Sequence, residues 1–198
     1  MKIRLRQLRA IAAMLCFATS IQATTLARLS LDQLAKAADA VARMRCTSVE
    51  SRWENGAIWT ITSFAVVETL KGPLPARITV RLPGGRVGHF TASVDGTPKF
   101  SAGDEAVVFL ERYSGTLQAG RTPARAEEFS VAAWVEGTFR IVRDLQTGFE
   151  TVTQDSSTFA VFDTTTRAFR NEGIRRMPVQ QFRERIAGAI NRAQEKRR

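Results

Sequence analysis

Apolar and polar residues alternate with a period of two through much of this chain, the pattern of strands with one face in a core and one in water. Residues 77–82 show it plainly, with Ile78, Val80 and Leu82 alternating with Arg77, Thr79 and Arg81. Pro83-Gly84-Gly85 ends that run, and Thr97-Pro98 followed by Ser101-Ala102-Gly103-Asp104 marks a second boundary. Ala106-Val107-Val108-Phe109-Leu110 is apolar at successive positions, so it reads as an inner strand covered on both faces. The stretch 77–111 is therefore strand, glycine turn, strand, long turn, strand, and the remaining elements are placed around it.

Upstream, Ser30 has the side chain of a helix cap and Gln33 stands three residues on, the capping-box spacing, with Leu31, Leu34 and Ala38 on one face of a short helix closed by Asp39. Residues 41–53 read as a long strand with Ala42, Met44 and Cys46 inward. Glu54-Asn55-Gly56 is a tight turn, because Asn-Gly supplies the positive backbone angles of a two-residue hairpin. The returning strand, 57–70, has apolar residues on both faces, which predicts a bulge or two-sided burial.

Downstream, residues 112–126 change to Gly, Thr, Arg and Ala and read as a loop. Residues 129–142 return to strand character with a bend at Gly137. A turn at 144–148 leads to a short pair of strands, 149–152 and 158–162, then to an irregular segment, 163–173. Pro178 is a favoured first helical residue. Over 178–195, Val179, Phe182, Ile186, Ala189, Ile190 and Ala193 recur at three and four, one narrow apolar stripe on a charged helix. Packing on the core is the reading; binding to a membrane surface or a partner is the alternative.

Charge changes the picture at the two ends. Lys2, Arg4, Arg6 and Arg9 precede an apolar block from Ala10 to Phe17 and a small-residue exit at Ala23, the layout of a secretory signal peptide over residues 1–23. The block is continuous and no acidic residue falls within these 23, which disfavours an amphipathic first helix. Leu15 before Cys16 is too large for lipoprotein processing. The expected product is a single domain, residues 24–198, exported to the periplasm or beyond. No other run is long enough to cross a bilayer. The formal charge falls from +10 to +6 on cleavage, with much of the excess near the C-terminus. Cys46 then stands alone, so no intramolecular disulfide can form. Its inward spacing makes it a buried small hydrophobe before a reactive thiol, with pairing between chains left open.

His89 is the one histidine, which excludes His-based triads and a His/Cys zinc set. The neighbouring carboxylates of Asp104-Glu105 and Glu127-Glu128 point to opposite faces of a strand, so a two-carboxylate glycosidase has no support. Residues 83–88 superficially suggest a phosphate loop, but a strand follows where a helix is needed. Arg45, Arg52, Arg77, Arg81 and Arg86 with Trp53 and Trp59 suggest a surface for single-stranded nucleic acid; export disfavours it. No catalytic residue, cofactor or metal ligand is expected.

The order of these segments carries a resemblance. The helix at 30–39, Val49-Glu50-Ser51-Arg52-Trp53, Val67-Glu68-Thr69-Leu70-Lys71-Gly72, Val80 to Gly88 and Pro98 to Leu110 resemble a family of uncharacterised secreted bacterial proteins. That family is similar in turn to the netrin-like domains of tissue inhibitors of metalloproteinases (TIMPs). The resemblance implies a mainly β fold, an OB-like five-stranded barrel with an N-terminal and a C-terminal helix. Those inhibitors chelate a protease zinc through an N-terminal cysteine and are held by disulfides; a chain starting near Thr24 with Cys46 alone has neither. The implied function is a non-enzymatic exported module that binds another protein, an exported protease being one such partner. Its rim would be Gly84, Gly85, Arg86 and His89, with the 112–126 loop beside it. The alternatives are an envelope component binding anionic polymer or lipid, and an enzyme whose site would draw on His89, Asp104 and Glu105. Oligomeric state stays open.

Overall fold

The computed structural model describes residues 28–113, 128–158, 161–163, 167–170 and 173–195. The segment expected to be a signal peptide, residues 1–23, and all but the first two residues of the 112–126 loop lie outside them.

Helix α1, Leu31–Ala37, starts as its sequence dictates. Ser30 Oγ accepts from the Gln33 amide (3.2 Å), and the Gln33 side chain accepts from the Ser30 amide (2.8 Å), closing a capping box. At the other end the Lys71 ammonium donates to the carbonyl of Ala35 (2.6 Å) and to that of Ala38, satisfying helix-end acceptors. Strands β1, Ala40–Glu54, and β2, Ala57–Lys71, form a long antiparallel hairpin closed by Asn55 and Gly56, both at positive φ. The register slips at three places, Val41/Ala42, Arg43/Met44 and Cys46/Ser48, so the bulge expected of the returning strand falls in its second half, from Ser63 to Lys71.

Strand β3, Arg77–Pro83, follows β2, and a small separate hairpin of β4, Gly85–Val87, and β5, Phe90–Ala92, comes next. Strand β6, Glu105–Arg112, is buried at every position from Ala106 to Leu110, as its unbroken apolar run requires. Then come β7, Glu128–Val131, a 3-10 turn at Trp134–Gly137, and β8, Thr138–Arg143. The turn divides the single strand expected over 129–142. A side chain at Gly137 would strike the Ala132 carbonyl at 2.0 Å, so the close approach there admits only glycine. Strand β9 is Glu150–Gln154, and β10, Val161–Asp163, pairs with β11, Ala168–Arg170, a strand inside a segment read as irregular. Met177–Pro178 forms a two-residue strand β12 against β9, and helix α2, Val179–Glu195, begins one residue after the proline.

The main sheet has eight strands in the order β1-β2-β3-β7-β6-β8-β9-β12, and β1 also pairs with β6. Five strands thus close a hydrogen-bonded ring, β1-β2-β3-β7-β6, but the ring is not curled into a barrel. This corrects the expected OB-like five-stranded barrel, and with it the netrin-like and TIMP-like reading of the fold. The reason lies in β6. A barrel commits both edges of every strand to its two ring neighbours. Here one edge of β6 pairs with β1, while the other gives Glu105 to Val108 to β8 and only Leu110 to Arg112 to β7. The parallel β3–β7 closure rests on two residue pairs, Thr79 with Glu128 and Val80 with Phe129.

Two cores lie on opposite faces of β1 and β6. Val41, Val107, Phe109, Phe139 and Val152 face the helices and meet Leu34 of α1 and Phe182 and Ile186 of α2. The rings of Phe109, Phe139 and Phe182 stack in succession, 5.6 and 4.7 Å apart. The α2 stripe is buried at Phe182, Ile186, Ala189, Ile190 and Ala193, so its apolar face packs on the core. Ala42, Met44, Cys46, Phe64, Val80, Val108, Leu110 and Phe129 form the second core within the ring. Among the described residues no helix is long and apolar enough to cross a membrane.

Phe182 is fully buried between two helices and the sheet, so Phe182→Ala is expected to destabilise the fold by about 3–5 kcal/mol, read by denaturant unfolding with an unchanged m-value.

Candidate functional site

The β1–β2 hairpin extends past the end of β6, and the segment from β3 to β6 folds over its inner face. Val49 and Ser51 of β1, Thr60 of β2 and Leu82 of β3 share that face by strand alternation and register. Above them lie Pro83, Gly84, Gly85 and Arg86, and the wall is completed by residues from Thr91 to Phe100. The result is a mostly apolar cleft of about 300 Å³. Its two charged lining residues are cationic, Arg86 and Lys99.

Hydrogen bonds fix the mouth. The hydroxyls of Ser51 and Thr60 bond each other at 3.0 Å, and Thr60 Oγ1 donates to the Gly84 carbonyl at 2.7 Å. The Gly84 amide donates to the Ile58 carbonyl at 2.9 Å. Gly85 sits at φ 135°, and a Cβ there would lie 2.4 Å from both hydroxyls. The two glycines therefore let the β4–β5 hairpin lie directly on the sheet. Phe100 forms part of the cleft wall; Phe64 meets its ring edge-on at 5.0 Å, and the Arg140 guanidinium lies 4.5 Å over it.

Of the four rim residues expected from sequence, Gly84, Gly85 and Arg86 line the cleft, and His89 stands exposed on the Gly88-His89 turn of the same hairpin. Arg86 Nε donates to the Gly88 carbonyl at 3.2 Å, bracing that turn. Sequence reasoning missed the apolar residues beside the rim: Val49, Trp53, Phe90 and Val94 are all exposed, Phe90 by 64%. Trp53 and Phe90 meet edge-to-face at 5.6 Å. Val49 and Trp53 share the parity of Ser51, which gives their common face in the sequence but not its exposure.

A second, charged groove lies on the other side of the sheet end, where the helices no longer cover it. Glu150 receives two hydrogen bonds from the Arg43 guanidinium, both at 3.0 Å, and another from Arg143 Nε at 3.1 Å. Arg43 and Arg45 also reach Glu105. Arg140 pairs with Asp104 at 2.8 Å and Asp155 at 2.9 Å. These donors hold the Glu150 carboxyl down at about 2, against an ordinary 4.5, with the Arg43 bonds the largest cause. Asp104 and Glu105, named as enzyme candidates, are thus engaged in ion pairs at the start of β6, while His89 sits on the separate β4–β5 hairpin.

The basic aromatic surface has a similar fate. The Arg81 guanidinium is buried, lies 4.6 Å over Trp59 and 5.3 Å over Tyr113, and bonds Glu54, which also binds Arg52. The Cys46 thiol is buried, and burial and then Asp104 push its pKa up, the opposite of a reactive thiol. Among the described residues Glu136 is the one buried carboxylate; burial raises its pKa, and it accepts from the Gln154 side-chain amide at 3.0 Å away from the cleft. Among the described residues no group of three or more His, Cys, Asp or Glu is placed to hold a metal ion. The chain matches no protein-family model and no curated protein.

Two outcomes follow. Gly85→Ala is expected to cost about 1–3 kcal/mol in denaturant unfolding through φ strain and the hydroxyl clash, while exposed Gly56, with nothing near its missing Cβ, carries only the φ strain. Glu150 is more acidic folded than unfolded, so its stabilisation is full above pH 4.5 and fades as pH falls toward about 2. Acid titration of stability should show that decline in the native chain, and Glu150→Gln should flatten it.

Proposed function

We propose that the chain is an exported, non-enzymatic module that binds another protein by taking one large apolar side chain into the cleft beside the β4–β5 hairpin. The observation that carries this reading is the pairing of that apolar cleft with exposed Trp53 and Phe90 at its border. A cavity of about 300 Å³ is at the small end of ligand sites, which suits one anchoring side chain. Exposed aromatic residues around an apolar pocket are the usual composition of an interface hot spot. The hydrogen-bonded mouth is built before a partner arrives, so little ordering opposes binding. Export rests on the charged start and apolar block of residues 1–23. An exported protease belongs to the partner class, but no feature of the cleft singles one out.

The alternative of binding anionic polymer or lipid loses ground, because Arg43, Arg45, Arg52, Arg81, Arg140 and Arg143 are engaged by carboxylates of the chain itself. Such pairs leave fewer free cations to release counterions from a polyanion.

The test is affinity capture from extracytoplasmic extract with the native chain and an Ala92→Trp variant whose indole fills the cleft. A partner held by the native chain and bound at least ten-fold more weakly by the filled variant supports the proposal. Equal retention of the same proteins by both sinks it.

A further inference from the structure

Strand β1 is two different strands in succession. From Val41 to Arg45 it is paired on both sides, to β2 and β6. After Cys46, which bonds the backbone of Gly103 and Asp104, that second edge has no strand beside it among the described residues, although β1 runs on to Glu54. The backbone direction along this edge is fixed by its pairing. The Ile58 carbonyl is turned to β3, where it accepts from Gly84, so Ile58 and its register partner Trp53 form a non-hydrogen-bonded pair. By alternation Val49, Ser51 and Trp53 direct their amides and carbonyls outward, and Ser48, Glu50, Arg52 and Glu54 direct theirs to β2.

An unpaired edge of this length is a template for another strand, and natural edges are commonly blunted by charged side chains, lysine above all, by proline or by a bulge. Between Val49 and Glu54 this one has no lysine, proline or bulge, and its charges are of both signs. It carries Glu50 and Arg52, opposite charges two residues apart on the outer face. Among the described residues Glu50 makes no ion pair, and Arg52 holds Glu54 through its Nε alone. Two such strands brought together antiparallel about Ser51 place Glu50 opposite Arg52 of the second copy and Arg52 opposite its Glu50. Those are the close, non-hydrogen-bonded positions, where cross-strand side chains interact most strongly. On the other face Val49 falls opposite Trp53, two exposed apolar residues covering each other. The outward amides of Val49, Ser51 and Trp53 then find carbonyls at every position.

We infer that the occupant of this edge is a second copy of the chain, joined through an antiparallel β1–β1 pairing with its two-fold axis at Ser51. The pattern is self-complementary, which is what an isologous interface requires and what a charge device against pairing would avoid. This inference does not depend on the cleft reading, since it rests on the edge and its charges.

Sedimentation equilibrium of the purified chain over a concentration series tests it, with unfolding curves run on each variant. A concentration-dependent monomer–dimer equilibrium is expected. Val49→Pro removes an outward amide while sparing the bonds to β2, and Glu50→Arg places like charges opposite each other; each should weaken the dimer at least ten-fold with the fold retained. Combining Glu50→Arg with Arg52→Glu restores opposite charges and should bring the dimer back to within about three-fold of native strength. A chain that remains monomeric at millimolar concentration overturns the inference, as does a dimer indifferent to Val49→Pro. Single charge changes that weaken the dimer without rescue by the double change overturn the Ser51 register.

Discussion

Strand β6 has to bury both of its faces, and most of the architecture answers to that constraint. Five successive apolar residues cannot be exposed on either side without leaving large side chains in water, so a layer is needed above and below. The helices supply one layer through Phe182, Ile186 and Leu34, and the β2–β3–β7 side of the ring supplies the other through Phe64, Val80 and Phe129. Only sheet neighbours can satisfy the backbone of a strand in that position. β6 has three of them, and the division of one edge between β7 and β8 turns a possible barrel into a ring with a branch.

The candidate site follows from where β6 stops. Beyond Glu105 the β1–β2 hairpin has neither β6 at its edge nor helices on its face. Its inner face is covered instead by a thin layer of chain from Gly84 to Phe100. Such a layer cannot fill the space above Ser51, Thr60 and Leu82 as a helix would, and the cleft is what remains. The ion pairs on the opposite side answer the same ending with a different solution. There the sheet carries Arg43, Arg45, Glu105, Arg143 and Glu150, charges that tolerate water and bind one another. Their engagement ties β1, β6, β8 and β9 together, which makes that groove a fastening of the sheet end.

What could be read in the sequence was what local spacing encodes. Ser30 and Gln33 stand at capping distance in the chain and close a capping box in space; the α2 stripe shows three- and four-residue spacing and is buried; Asn55-Gly56 demands a hairpin and makes one. What could not be read depends on competition between distant strands. Nothing near Glu105 announces that β8 will take half of the edge that a barrel would need, and the parallel β3–β7 pairing joins residues about fifty apart. Pro178 suits the first helical position because its φ is fixed, yet β9 offers Met177 and Pro178 an edge, and the helix starts one residue later. The glycine rim was legible because Gly84-Gly85 signals a special backbone. Its apolar border was not, because exposure of Trp53 and Phe90 depends on what fails to cover them.

The two proposed surfaces bear on each other through symmetry. A two-fold axis between antiparallel strands is perpendicular to the sheet, so pairing through β1 puts both β4–β5 hairpins on the same face of a continuous sheet. Val49 and Trp53 stand on that face, and Val49 also lines the cleft, so each cleft opens beside the junction. The two anchoring sites are then fixed side by side by a rigid sheet, with no linker between them. A partner that presents two apolar side chains at that spacing gains from the second contact without paying again for association, whereas a partner with one gains nothing from the dimer. A monomeric binding module selects for the shape of a single side chain; a paired one selects for the distance between two.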